Sequence, residues 1–349
     1  MDKEKKIGNT IFYIFLLLLV WGILSLSTNN PDRKNYELVY EYLSITDNYF
    51  YPDFEKGFSF FMRIGSKLNL TYQQFLIFIS TISTFLLHIF LKRETQNKNL
   101  VLIMFLFFPF FLEVVQIRNY LVLLLVINSI PFLVEKKVIK FILLILIASL
   151  FHVSALFYLL FLLCYIEQKK LLYIVSLSTL SIVLFQNQIL SILVSILPNG
   201  EKYLVYNNST SISTVIMFVL FFMVNYYLIN ELSSSVYKID KRYNFLSDYQ
   251  KKSLDYTLKI NTVIIFSFIL ITIDMNFFRI FRNIVIINYT LFANTIYNNK
   301  VLKNQHSLII QVFFVLFSLL IGLFFLYSTQ FNPVVKTILD SIDFSAFWR

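Results

Sequence analysis

The sequence predicts an all-α, polytopic integral membrane protein. Three observations carry this. Of its 349 residues, 58% are hydrophobic and only 14% charged, whereas a soluble domain carries about a quarter charged residues. Apolar runs recur along the whole chain at lengths near that of a bilayer crossing, for which a helix needs about 20 residues. Lysine and arginine then gather in alternate connections between those runs, the distribution expected when cytoplasmic loops collect positive charge.

The first run, near 9–28, follows the basic start Lys3, Lys5 and Lys6. Many spans come after it, so it reads as an uncleaved span rather than a signal peptide. Further runs lie near 71–91, 100–116, 119–134, 171–187, 211–230, 259–276, 279–297 and 307–328. Two shorter runs, 138–151 and 153–166, meet at His152 as a hairpin, giving about 11 transmembrane segments. Each arm of that hairpin, read as α-helix, rises roughly 20 Å against a hydrocarbon core of roughly 30 Å. His152 is therefore expected below the outer surface, among protein or water.

With the N-terminus cytoplasmic, 19 of the 30 Lys+Arg fall on the cytoplasmic side and 11 outside. The C-terminus then lies outside. The composition is uniform, so 1–349 reads as a single membrane domain. It has a large outer loop at 29–70, a second at 188–210 and a cytoplasmic loop at 232–256. Within the large loop, Tyr36, Val39, Tyr40 and Leu43 recur at helical spacing, as do Phe58, Phe61, Met62 and Gly65. This pattern predicts short amphipathic helices along the outer membrane surface.

The net charge of +10 belongs to this loop asymmetry; no basic stripe on a polar fold points to nucleic acid. One cysteine, Cys164, excludes an internal disulfide framework. The histidines His88, His152 and His306 are scattered, so no metal spacing is visible and neither metal nor cofactor is expected.

Against this background the stretch EVVQIRNYLV, 113–122, stands out. It places Glu113, Gln116, Arg118 and Asn119 between two apolar runs, at the basic-poor outer side. The topology brings His152 to the same face, together with DMNFFRIFRN, 274–283, which carries Asp274, Arg279, Arg282 and Asn283. Arg279, Asn283, Thr290 and Asn294 follow helical spacing into the membrane as a polar stripe, which in membranes faces a bundle interior or a watery cavity. Several guanidinium groups at one outer face suit an anion, since each binds phosphate oxygens through paired hydrogen bonds. A lipid-linked pyrophosphate carries its charge at this depth. The alternatives are plainer: Arg118 snorkels to the interface or pairs with Glu113, Arg279 and Arg282 are interfacial anchors, and His152 is a satisfied interior histidine.

QIRNYLVLLLVINSIPFLVEKKVIKFILLILIASLFHVSALFYLLF resembles the core signature of the EpsG-like, Wzy-type polysaccharide polymerases. The matching pieces are Ile117-Arg118-Asn119, the lysine-rich turn Glu135-Lys136-Lys137, and Ala148 followed by Phe151-His152-Val153-Ser154-Ala155. Upstream, Asp32 and Tyr36 resemble the D-x-x-x-Y of the family, and YPDFEKGFSFFMRIGSKLNLTYQQF resembles its EpGf region, with Lys56 in place of proline. Downstream, FFRIFRN resembles the arginine-opened late span. Asn119 stands where glutamine is usual.

The resemblance implies a metal-independent glycosyltransferase of the bacterial plasma membrane. Its substrate would be a polyprenyl-pyrophosphate-linked oligosaccharide. The growing glycan would pass from its lipid pyrophosphate to a sugar hydroxyl of the next unit at the outer face. The product would be O-antigen, capsule or exopolysaccharide, with membrane lipids, a chain-length regulator and a flippase as partners. The expected site has Arg118 and Arg279 on the pyrophosphate, with Arg282 assisting. His152 is the first choice of base, with Asp32, Glu113 and Asp274 in reserve. Tyr36, Asn119 and Asn283 are placed at the substrate, and aromatic residues of the outer loop such as Tyr40 stack on sugars. Two rival readings are a flippase for lipid-linked oligosaccharide and a membrane acyltransferase that modifies surface glycans.

Overall fold

The computed structural model describes residues 3–46, 48–52, 54–185, 188, 212–243, 246–273, 275–297, 305–328 and 330–347. These are helical throughout apart from turns, with one isolated bridge between Ser27 and Ile342. The helices are α1 (Lys3–Leu26), α2 (Arg33–Ile45), α3 (Lys56–Lys67), α4 (Tyr72–Glu94), α5 (Lys98–Phe107), α6 (Phe110–Val115), α7 (Ile117–Val134) and α8 (Val138–Ser149). A 3₁₀ helix (Val153–Tyr165) follows, then α9 (Gln168–Leu184), α10 (Ile212–Tyr243), α11 (Asp248–Val263), α12 (Ser267–Ile273), α13 (Phe278–Arg282), α14 (Val285–Tyr297) and α15 (Gln305–Gly322). Five are long and apolar enough to cross a membrane: Lys6–Leu26, Tyr72–Glu94, Ile117–Val134, Ile216–Lys241 and Gln305–Ser328. Three shorter apolar helices, among them α5 and α8, accompany them. The protein is a multi-pass membrane protein.

The bundle is built around α7, which packs on α4, α8 and α11. Fifteen of its 18 residues are buried, so it is apolar on every face, as a central helix must be. The rim helices turn large apolar side chains outward, such as Ile11, Phe15 and Leu18 on α1 and Val312, Phe313 and Leu320 on α15. Lipid covers such faces. Between helices the chain places small and polar groups, which permit close approach and hydrogen bond across the interface. Asn225, Asn261 and Asn288, all buried, close a ring of amide hydrogen bonds of 2.7 to 3.3 Å that ties α10, α11 and α14 together.

Several elements differ from the sequence reading. The run 100–116 is broken at Pro109 into α5 and α6, because proline lacks the N–H that a continuous helix needs. The segment 232–256, expected as a connector, is mostly helix. Here α10 runs to Tyr243 and α11 starts behind a capping box of Ser247 and Gln250, which satisfies two orphan backbone donors. The second outer loop, 188–210, lies outside the described residues except Gln188.

The second arm of the His152 hairpin is 3₁₀ rather than α. Its buried residues Ala155, Tyr158, Phe161 and Cys164 recur every third position, the spacing that eclipses side chains in a 3₁₀ helix. At about 2.0 Å per residue its 13 residues rise roughly 26 Å. The arm therefore rises further than an α-helix of equal length.

In the segment 29–70 the predicted periodicities are the buried faces of α2 and α3, but protein rather than membrane covers them. Tyr40 and Phe58 pack on Phe75 of α4, and Phe61 packs on Phe151. Arg33 fixes α2 in place, donating to Ser27 O at 2.8 Å and to Gln73 Oε1 at 2.9 Å. Arg63 donates to Leu43 O. The C-terminal segment docks at this same end, with Thr28 N to Ser341 O and Asp343 N to Leu26 O both at 3.0 Å.

Candidate functional site

At the end of the bundle that carries 29–70, five stretches distant in sequence converge. Asp32 and Tyr36 come from the start of α2, and Phe54 and Glu55 from the approach to α3. Arg118 comes from the first turn of α7, His152 from the hairpin turn and Arg279 from α13. Arg118 forms an ion pair with Glu55 through Nη1, and its guanidinium lies over the Phe54 ring at 4.1 Å and near Tyr36 at 5.7 Å. Its Nε–H is buried without an acceptor. The other Glu55 oxygen accepts from Val153 N at 3.2 Å and lies 3.9 Å from His152 Nδ1. The side chains of Arg118, Glu55 and His152 keep 21%, 20% and 17% of their surface exposed; a ligand can reach them.

Arg279 donates from Nη1 to His152 Nε2 at 2.9 Å and from Nε to Asn276 O at 2.8 Å. A guanidinium only donates, so Nε2 accepts. Nδ1 caps the following arm: it accepts from Ser154 N at 3.2 Å and lies 2.9 Å from Ser154 Oγ. In the turn between its two helices, His152 is pulled down to about 3, first by burial and then by the arginines 279 and 118. The ring is neutral and both of its nitrogens are engaged. In this arrangement His152 holds Arg279.

Asp32 stands differently. Its carboxyl group is half-buried, and burial raises its pKa above the ordinary carboxylate range while Arg118 and Arg279 partly oppose the rise. Both guanidinium groups are thus within electrostatic reach of this carboxylate.

Behind the outer cluster lies a closed network. Arg282 donates to Glu113 Oε1 at 2.6 Å and to Gln116 Oε1 at 2.8 Å. Asn119 donates to Glu113 Oε2 and to Asn283 Oδ1, each at 2.9 Å, and Asn283 returns a bond of 3.2 Å. Glu113, Asn119, Arg282 and Asn283 are all buried. The sequence reading placed them at the substrate; in the structure their side chains hydrogen bond to one another. Glu113 does not hold Arg118; the chain turns at Gln116 between α6 and α7, so the two side chains find different partners. Asp274 lies outside the described residues.

Glu55 is the residue that sequence reading missed. The signal was the EpGf-like stretch Glu55-Lys56-Gly57-Phe58. Gly57 explains the pattern: its N–H donates to Leu150 O at 2.8 Å, and a Cβ there would meet Leu150 at 2.6 Å. Only glycine lets the start of α3 close on the turn that carries His152.

The polar stripe along α14 ends at the far side of the bundle. There Asn294 donates to Glu94 O at 2.8 Å beside a cavity of about 280 Å³ lined by Arg93, Glu94, Gln96 and Tyr249. Among the described residues no His/Cys/Asp/Glu group is arranged to hold a metal ion.

No curated protein and no solved structure matches the chain. The family model described as the EpsG family matches residues 10–336. The chain thus belongs to the EpsG family, the family of Wzy-like polysaccharide polymerases.

Proposed function

We propose that this polymerase joins polyprenyl-pyrophosphate-linked oligosaccharide units at the outer face of the plasma membrane, with its N-terminus cytoplasmic and about 11 transmembrane segments. The observation that carries this reading is the pair Arg118 and Arg279. These two guanidinium groups come from distant parts of the chain and meet on either side of the part-exposed side chains of Glu55 and His152. The other arginines of that end, Arg33, Arg63 and Arg282, are buried and engaged by protein.

Arg118 and Arg279 bind the pyrophosphate of the lipid carrying the growing glycan. As the anomeric C–O bond breaks, its electron pair leaves with the pyrophosphate, and the paired donors stabilise the charge gathering there. The acceptor hydroxyl forms the new C–O bond and gives its proton to Asp32, the half-buried carboxylate near both arginines. A carboxylate with a raised pKa is the better proton acceptor near neutrality. His152 positions Arg279, and the Glu113–Arg282–Asn119–Asn283 network fixes α7 against α13 beneath it.

The flippase reading draws on the cavity at the opposite end. Purified protein supplied with lipid-linked repeat units separates the two. A ladder of glycan lengths supports the polymerase, and transbilayer movement without bond formation overturns it.

A further inference from the structure

Glu55 precedes α3 at its N-cap position, yet its carboxylate makes no capping bond to its own helix. It reaches instead across 63 residues of chain to Arg118 and accepts the Val153 N–H. The backbone around it is pinned by the Gly57–Leu150 contact, so the carboxylate is delivered between Arg118 and the His152 turn that holds Arg279. Two guanidinium groups in a half-buried site repel each other unless an anion or an accepting group compensates. Arg279 has the neutral His152 ring, and Arg118 has Glu55.

A pyrophosphate offers the same paired-acceptor geometry as a carboxylate, with more charge. It therefore competes with Glu55 for Arg118. It also brings an acceptor for the buried Arg118 Nε–H, which the carboxylate leaves unmet.

We propose that Glu55 is the resident counter-anion of the anion site, displaced from Arg118 when the lipid pyrophosphate binds and returning to Arg118 to expel the spent polyprenyl pyrophosphate after transfer. Glu55 is a positioning residue in this scheme: it breaks no bond and moves no proton. It lowers the affinity for pyrophosphate so that product leaves. The proposal rests on the polymerase reading above.

The test uses the full chain in lipid nanodiscs, with geranylgeranyl pyrophosphate as probe and geranylgeraniol as control. Glu55→Gln keeps the size and the acceptor for Val153 N–H but removes the charge. It should bind the probe about ten-fold or more tighter than the parent, because one charge-assisted contact no longer competes, while steady-state polymerisation slows. Glu55→Asp keeps the charge with a shorter reach and should fall between the two. Arg118→Gln should lose the preference for pyrophosphate over alcohol. A merely structural Glu55 predicts the opposite, with Glu55→Gln and Glu55→Asp both binding as the parent does or more weakly; that result overturns the proposal and leaves the polymerase reading intact. If the parent itself does not prefer pyrophosphate over the alcohol, the polymerase reading of these arginines falls and the Glu55 role falls with it.

Discussion

Arg279 donates a hydrogen bond to Nε2 of His152 at 2.9 Å across 127 residues of sequence. The contact makes the histidine a support for a cation. If His152 acts this way, His152→Ala should lower kcat by roughly ten- to a hundred-fold, the scale of losing a contact that orients a binding group. His152→Gln, which retains an acceptor, should recover part of it. The shape of the pH–rate profile between pH 5 and 8 should not change in either variant, since a neutral ring with its pKa near 3 does not titrate there. A limb near pH 6.5 that vanishes in His152→Gln would restore the histidine as base.

The same shift bears on stability. A histidine kept neutral in the folded protein but free to charge when unfolded contributes fully above its unfolded pKa of about 6.5. As pH falls from there toward 3, the unfolded chain takes up a proton that the folded one refuses, and stability drops. His152→Gln should flatten this part of the pH dependence of thermal unfolding in detergent.

Arg118 tests the phosphate geometry. Arg118→Lys keeps the charge but replaces a planar fork by a point donor. Polymer yield should fall on the order of a hundred-fold, the usual loss for a donor aimed at developing negative charge, with membrane insertion unchanged. Full-length polymer from this variant would remove Arg118 from the reaction.

Asp32 makes a pH prediction with a definite sign. Burial raises its pKa, and Arg118 and Arg279 lower it. As proton acceptor it must be ionised, so activity should fail as pH drops through its raised pKa. Neutralising Arg279 by Arg279→Gln removes a lowering influence, and the acid limb of the residual activity should move to higher pH. Asp32→Asn should erase the limb together with most of the rate. An acid limb that stays in place in Arg279→Gln would rule Asp32 out as its source.

The sequence made part of this site legible and hid the rest for identifiable reasons. Arg118, His152 and Arg279 could be set at one face because loop charges orient the spans and a polar group in an apolar run has few places to go. Glu55 was one of several carboxylates in a loop, and nothing local marks a partner 63 residues away. Glu113 sits five positions before Arg118, which suggested a pair; the turn at Gln116 sends it to Arg282 instead. The 3₁₀ arm was written as Ala155, Tyr158, Phe161 and Cys164, but an apolar residue at nearly every position concealed the three-residue period.

The buried pair Glu113–Arg282 yields the last prediction. Both side chains are nearly inaccessible, 0% and 6% exposed, and each is further satisfied by Asn119 or Gln116. Removing one partner leaves an uncompensated buried charge, which costs about 3–5 kcal/mol. Removing both leaves no such charge. Glu113→Ala and Arg282→Met alone should each lower thermal stability sharply in detergent, whereas the double variant should be more stable than either. Activity should follow a different order: the double variant, although folded, should remain impaired because α13 no longer holds Arg279 in register with α7. A double variant less stable than both single variants would show that the network does not act as a unit.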